Sequence, residues 1–423
     1  INDSNETDEW TFMPDPVIKK VPQELLAQVG LESLDGLEAE TKFGGTLDHP
    51  HSYMKWIYNH DNQPVLVARF NVVQHEWSWH KPWLRDYADI KNKTIGAMIA
   101  STRLSSNPLG LEEFNGATCA ELNFIVPYDA GLSIHSEKDY FNFSEMDGRL
   151  FPYLNQTDKT PLGMHLVWGD RNHLPAWLKD GNFSQEELIN ILENHIRNVA
   201  GHYTGNEKVI NNWVVINEIL GGWQTTNFWT DKLGFPDLYD SNNWLARCFR
   251  VAKEANPNSY LIYNETGFEF ADNDWESGRD AVFFDVLSNL ISNGVPVDAI
   301  GFQLHIDHSS QFDSEEKRRV KMERLASQIN KYKNLDVDVI VTECYVDMRE
   351  SGGSDRLELQ AEIYRNIART CFENGISSFS LFGLEDESQY QERDNPDADT
   401  MPFNNNGPKA AYYALSDVLR NIS

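Results

Sequence analysis

Two short apolar runs each end on a glutamate: NWVVINE closes on Glu218 and DVIVTE closes on Glu343. A run of about four to eight apolar, β-branched residues that stops at a charge reads as a strand buried on both faces, as in a parallel sheet. The charge then marks the strand's carboxyl end. In a closed (β/α)8 barrel those ends all open on one face, where catalytic groups gather. Two carboxyl groups at one rim can flank a glycosidic bond, one supplying a proton and the other acting as nucleophile or base. Either glutamate alone would serve equally well as a strand cap or an ion-pair partner, so the pair carries the reading.

Positioning two such residues needs a regular frame, and from residue 93 onward the chain alternates apolar runs with longer amphipathic segments, the rhythm of βα units. Eight strands are expected: TIGAMIAS from 94, CAELNFIV from 119, LGMHLVW from 162, NWVVIN from 212, SYLIYN from 259, DAIGFQL from 298, DVIVT from 338 and SSFSLF from 377. Helices fall between them. SQEELINILENHIRNVAGHY opens with Ser184 and Glu187 in capping-box spacing, and SNNWLARCFRVAKEA and SEEKRRVKMERLASQINKY repeat their apolar residues every three or four positions. SDRLELQAEIYRNIARTCFENG runs into Gly375 as a C-terminal stop. An open doubly wound sheet would need a glycine-rich phosphate loop after its first strand, and the sequence has no GxGxxG or Walker pattern. The expected fold is an α/β (β/α)8 TIM barrel over 93–423, with residues 1–92 as an N-terminal extension packed on it. That extension is rich in Pro, Asp and His and carries the cluster QHEWSWHKPWLRDY, whose Trp77, Trp79 and Trp83 are expected to be buried.

Composition narrows the partners. Lys and Arg number 36 against 65 Asp and Glu, a formal charge of −29, which opposes binding to nucleic acid or anionic lipid. Cys119, Cys248, Cys344 and Cys371 lie in apolar stretches without metal-ligand spacing and read as packed thiols. No apolar run is long enough for a membrane span. The start at Ile1, without methionine or an apolar leader, fits a processed secreted protein or a trimmed chain. Glycosylation sequons occur at Asn2, Asn5, Asn92, Asn142, Asn155, Asn182, Asn264 and Asn421. Asp48, His49, Pro50 and His51 form a possible cation-binding stretch that reads better as a solvated turn. No catalytic metal motif occurs, so neither metal nor cofactor is expected.

Read motif by motif, the chain resembles glycoside hydrolase family 10, the family of endo-β-1,4-xylanases. WVVINE is similar to that family's W-D-V-V-N-E, and VIVTE to its strand ending in T-E. In the same order, DYFNFSEMDGRL resembles N-F-x-F-x-x-A-D, HLVWGDRNHLPAW resembles H-T-L-V-W-H-S-Q-L-P-x-W, and LIYNE resembles L-Y-x-N-D. IGFQLH, FGLEDESQY and NNNGPKAAYYAL likewise resemble I-G-x-Q-x-H, W-G-x-x-D-x-x-S-W and the closing K-P-A-Y segment. The resemblance implies a retaining double displacement, with Glu218 as acid and then base and Glu343 as nucleophile, their carboxyl groups about 5 to 5.5 Å apart. It further implies that His305 donates to Glu343, that Gln303 serves the acid or a sugar hydroxyl, and that Asn217 holds the 2-hydroxyl at the cleavage site. Trp168, Asp129, Phe382 and Tyr390 would line the substrate cleft.

Several positions depart from the family pattern. VPYDAGL stands where the family has T-P-E-N-E-M-K, placing Asp129 and Leu132 at its sugar-gripping positions. The family's histidine aligns with Met164, and His165, one step along, is expected on the other side of its strand. Gly169 replaces the histidine after Trp168, and Tyr345 replaces the aspartate after the nucleophile. The reading is a secreted, monomeric hydrolase of xylan or a related β-linked plant polysaccharide, its partners being polysaccharide or oligosaccharide substrates. The alternatives are the same machinery turned to another glycone or to transglycosylation, and a carbohydrate-binding protein with little turnover.

Overall fold

The computed structural model describes residues 21–422 apart from 46–49, 72–75, 100–120, 128–131, 155–158, 206–207, 222–226, 352, 354, 387–398 and 405–406. The chain divides into two compact units, Ile1–Asn92 and Lys93–Ser423. In the second unit eight parallel strands follow one another around a ring: Thr94–Met98, Phe124–Val126, Thr160–Gly163, Asn212–Asn217, Tyr260–Glu265, Ala299–Phe302, Asp338–Val346 and Ser378–Leu381. The last pairs back onto the first, so the sheet closes as a (β/α)8 barrel. The third and sixth strands break and resume as Val167–Trp168 and His305–Ile306, each still paired with its following neighbour.

The helices form where caps and apolar stripes coincide. Gln185–His202 starts at the capping box of Ser184 and Glu187, Glu315–Lys333 at Ser314, and Arg356–Glu373 ends before Gly375 at a φ of 81°. The sequence reading misses one long helix, Asp274–Ser292. Trp275 and Val282 are exposed on it, which blurs the apolar stripe.

A plug of apolar side chains fills the barrel: Phe124, Val126, Leu162, Met164, Val214, Ile262, Ala299 and Ile340. Each contributes roughly 1.5–3 kcal/mol by burial if aliphatic or aromatic and large. Alternation along the strands then carries Asn264, Gly301 and Thr342 inward one layer above Ile262, Ala299 and Ile340. The barrel therefore changes from apolar to amide-lined toward its carboxyl end. A β-carbon at Gly301 would run into Oδ1 of Asn264 and meet Cγ2 of Thr342 at 2.8 Å, so glycine leaves room for the Asn264 amide.

The first unit is more ordered than the sequence suggests. Four antiparallel strands, Glu38–Gly45, Pro50–Tyr58, Pro64–Asn71 and Glu76–His80, form a meander flanked by the helices Gln23–Gln28 and Leu84–Asp89. Leu26, Ile57 and Leu66 center one apolar cluster, with Trp79 packed against it. Arg69 is buried between Asp86 and Asp89, at 3.1 and 2.6 Å. Trp77, Trp79 and Trp83 are half-buried, short of the full burial expected; Trp83 stacks flat on His80 at 3.4 Å.

Cys248, Cys344 and Cys371 are buried thiols; Cys119 lies outside the described residues. Among the described residues no helix is long and apolar enough to cross a membrane. Gly301→Ala is expected to lower stability by about 1–3 kcal/mol through overpacking. A thermal-unfolding midpoint equal to the wild type's would show that the Asn264 amide can move aside.

Candidate active site

Glu218 leaves the fourth strand with its backbone in the left-handed region, φ 53°, a conformation that non-glycine residues adopt at a cost. Three contacts hold it there. Its N–H donates to the Asn264 carbonyl at 3.0 Å, its carbonyl accepts from Gly221 N–H at 3.0 Å, and Asn227 Nδ2 donates to that same carbonyl at 3.0 Å. Asn227 also caps the helix Phe228–Leu233 through Oδ1. Any side chain at Gly169 would occupy the place of the Asn227 amide, which explains glycine at that departure from the family pattern.

Two further carboxylates brace the backbone of the rim. Glu265 is fully buried and accepts from Leu220 N–H at 3.0 Å and from Arg279 Nη2 at 2.8 Å. Burial pushes its carboxyl up to about 7 despite Arg279. Glu269 accepts from Gly267 N–H, Phe268 N–H and Leu304 N–H at 2.8, 2.9 and 3.1 Å. Leu304, at φ 56°, immediately precedes His305. Each brace thus acts one or two residues from a group facing the site.

The two candidate glutamates belong to one hydrogen-bonded assembly. Oε2 of Glu218 accepts from Trp168 Nε1 at 2.9 Å and Oε1 from Gln303 Nε2 at 2.9 Å. Oε1 of Glu343 accepts from Asn264 Nδ2 at 2.6 Å, and the same nitrogen donates to Asn217 Oδ1 at 2.7 Å. Thr342 Oγ1 donates to Asn264 Oδ1 at 2.7 Å, which fixes the amide's orientation. Gln303 Nε2 also reaches Asn217 Oδ1 at 3.4 Å. His305 Nε2 lies 3.3 Å from Oε2 of Glu343, an ion-pair contact off the line of a hydrogen bond.

These surroundings raise the proton affinities of Glu218 and His305. Burial raises the Glu218 carboxyl first, and the charge of Glu343 adds to it, while the donors Gln303 and Trp168 pull the other way; the net direction is up. Burial presses His305 down, but Glu343, then Asp307 and Glu218, outweigh it and raise the imidazole. The arrangement sets a carboxyl of raised proton affinity, Glu218, beside one that faces the raised imidazole of His305.

Glu218, Glu343, His305, Asn217, Gln303 and Trp168 therefore meet in one site. Phe382 joins it, its ring edge-on to His305 at 5.0 Å. Asp129 and Tyr390 lie outside the described residues, as do Asp48 and His49; the side chain of Leu132 is likewise not described. Among the described residues no group of three or more His, Cys, Asp or Glu is arranged to hold a metal ion. The expectation for His165 is corrected: it packs 5.0 Å from Trp168 and senses the charge of Glu343, so it faces the site. Residues 164–166 lie between two strand segments, and the alternation of a continuous strand does not carry through them. Burial lowers His165 to about 4, leaving it neutral. The sequence reading also misses Asn264 as a site residue. It reads there as a glycosylation sequon, yet it is fully buried against Glu343; its place at the end of a matched strand was the available signal.

The model of glycosyl hydrolase family 10 matches residues 84–418. Endo-1,4-beta-xylanase B of Thermotoga neapolitana is 28% identical over 344 residues, 79% of this chain and 91% of its own. Endo-1,4-beta-xylanase 2 of Aureobasidium pullulans is 27% identical over 273 residues, covering 63% and 71%. Among solved structures, xylanase 10B from Thermotoga petrophila, determined in complex with xylobiose, superposes with a TM-score of 0.66 at 26% identity over 80% of this chain and 98% of that one.

Two substitutions should move the proton affinity of Glu218 in opposite directions. Trp168→Phe removes a donor to the ionised form and raises it by up to about one pH unit, since a hydrogen bond to a charge is worth about 1.5 kcal/mol. Glu343→Gln removes a neighbouring negative charge and lowers it. Carbon-13 NMR titration of the carboxyl group reads both, and shifts of the same sign would contradict this account of the site.

Proposed function

The chain belongs to glycosyl hydrolase family 10, and from that premise we propose that it hydrolyses the β-1,4 linkages of xylan with retention of anomeric configuration. The observation that carries the reading is the amide assembly of Asn217, Asn264 and Gln303, which ties Glu218 and Glu343 into one site. In the first step the Glu343 carboxylate attacks the anomeric carbon, the glycosidic C–O bond breaks, and Glu218 gives its proton to the departing oxygen. In the second, Glu218 takes a proton from water, the water oxygen attacks the anomeric carbon, and the ester electrons return to Glu343. Asn217 is assigned to the sugar's 2-hydroxyl, and Trp168 orients the acid through its indole N–H.

A changed glycone preference is a second reading with its own observation. Met164 sits in the apolar plug where the family pattern has histidine, and His165 enters the site in a neutral form. Relative kcat/KM on aryl β-xylobioside and β-cellobioside separates the two, a preference for the glucosyl compound rejecting xylan as the principal substrate. An extracellular workplace is also proposed: the sequon residues Asn92, Asn142, Asn182 and Asn421 are exposed. Recovery of the protein only with cells in its native host would count against that.

Glu343→Ala should abolish turnover. Glu218→Ala should slow it by about 10²–10⁴-fold, the range for a lost general acid, and most for substrates with poor leaving groups. Proton NMR of the first product should show the β-anomer; the α-anomer would overturn the assignment of Glu343 as nucleophile.

A further inference from the structure

The surroundings of His305 extend beyond the two glutamates. Tyr345, two residues past Glu343, lies opposite His305 in the parallel register, and its ring packs on the imidazole at 4.7 Å. Phe382 closes another side. The Tyr345 hydroxyl donates to Oδ1 of Asp307, two residues beyond His305, while Oδ2 of Asp307 is buried without a hydrogen-bond partner. A carboxylate with a buried, unanswered oxygen is retained at a cost unless a positive charge compensates it. Among the described residues His305 and Arg349 feel the Asp307 charge, and Arg349 is engaged by Asp347, with Nε at 2.6 Å. The other charged groups described as acting on His305 are Glu343 and Glu218. Burial and the Asp307 charge push the Tyr345 phenol far up, so it stays a donor.

We propose that Asp307, held by the Tyr345 hydroxyl, is a positioning residue that keeps His305 protonated beside Glu343, and so assists release of Glu343 from the anomeric carbon. The proposal rests on Glu343 being the nucleophile. When the glycosyl ester breaks, its electron pair returns to the Glu343 carboxylate, and a protonated imidazole beside it stabilises that charge. Tyr345, where the family pattern has aspartate, therefore fits this site because it fastens a carboxylate supplied from the neighbouring strand's extension.

The test combines two readouts. Nitrogen-15 NMR of labelled histidine follows the His305 ring through pH in the wild type, Asp307→Asn, Tyr345→Phe and Asp307→Glu. Asp307→Asn should lower the pKa of His305 by about one pH unit, the lower end of the effect of a close opposite charge. Tyr345→Phe should lower it by less, and Asp307→Glu should return it toward the wild-type value. The kcat for an aryl β-xyloside with a good leaving group, limited by release of Glu343, should lose its alkaline limb at a correspondingly lower pH in Asp307→Asn. Coincident His305 titrations in wild type, Asp307→Asn and Tyr345→Phe overturn the proposal, as does a kcat reduced by one factor at every pH. The titration needs no substrate, so it judges this proposal even if the wild type fails to turn over xylosides.

Discussion

Two carboxyl groups enclosed in one desolvated space repel each other when both are ionised, and glycosidase chemistry needs one to keep its proton where the other has lost its own. For carboxylates about 5 Å apart at an effective dielectric of about 20, the repulsion is about 3 kcal/mol. The two glutamates differ in their flanking groups. Glu343 has the raised imidazole of His305 at 3.3 Å and a short bond from Asn264. Among the described residues the side chains donating to Glu218 are neutral, Trp168 and Gln303. The raised imidazole stands beside Glu343, and Glu218 is the carboxyl whose proton affinity burial and the Glu343 charge raise.

This asymmetry depends on backbone that would not hold itself. Glu218 and Leu304 both sit in left-handed conformations without being glycine, each costing of order 1–3 kcal/mol. Glu265 and Glu269 offset that cost by binding the N–H groups of Leu220 and Leu304. Their burial has its own penalty, met by Arg279 for Glu265 and by three backbone donors for Glu269. The strain at Glu218 and Leu304 and the buried charges of Glu265 and Glu269 are thus mutually satisfied.

How far the sequence reveals this follows from what each residue is buried against. The barrel was legible because Val214, Ile262 and Ile340 face an apolar plug, and β-branched runs signal such strands directly. The breaks at 164–166 and before His305 were not, since they occur where the barrel lining turns polar and one strand becomes two segments. Asn264 drew notice only as a sequon, although its strand end aligned with a family motif, and nothing local in the sequence tells of its burial against Glu343. In the first unit, PVLVARFN loses its alternation at Arg69, whose burial is intelligible only once Asp86 and Asp89 stand beside it. Partners distant in sequence decide these cases, and local periodicity carries no record of them.

The departures from the family pattern are also not independent point changes. Gly169 coexists with Asn227, whose amide fills the space a side chain would need and grips the Glu218 carbonyl. Tyr345 coexists with Asp307, which accepts its hydroxyl beside His305. Met164 coexists with a plug of seven other apolar side chains and with His165 turned into the site. Restoring a single family residue at Gly169 would displace Asn227 and loosen the strained turn at Glu218. Residues coupled in this way cannot be exchanged one at a time without strain, because each new side chain meets a neighbour shaped to the old one. The departures and the two glutamates are therefore compatible: each departing residue has a matching neighbour, while hydrogen bonds through Asn217, Asn264 and Gln303 join Glu218 to Glu343.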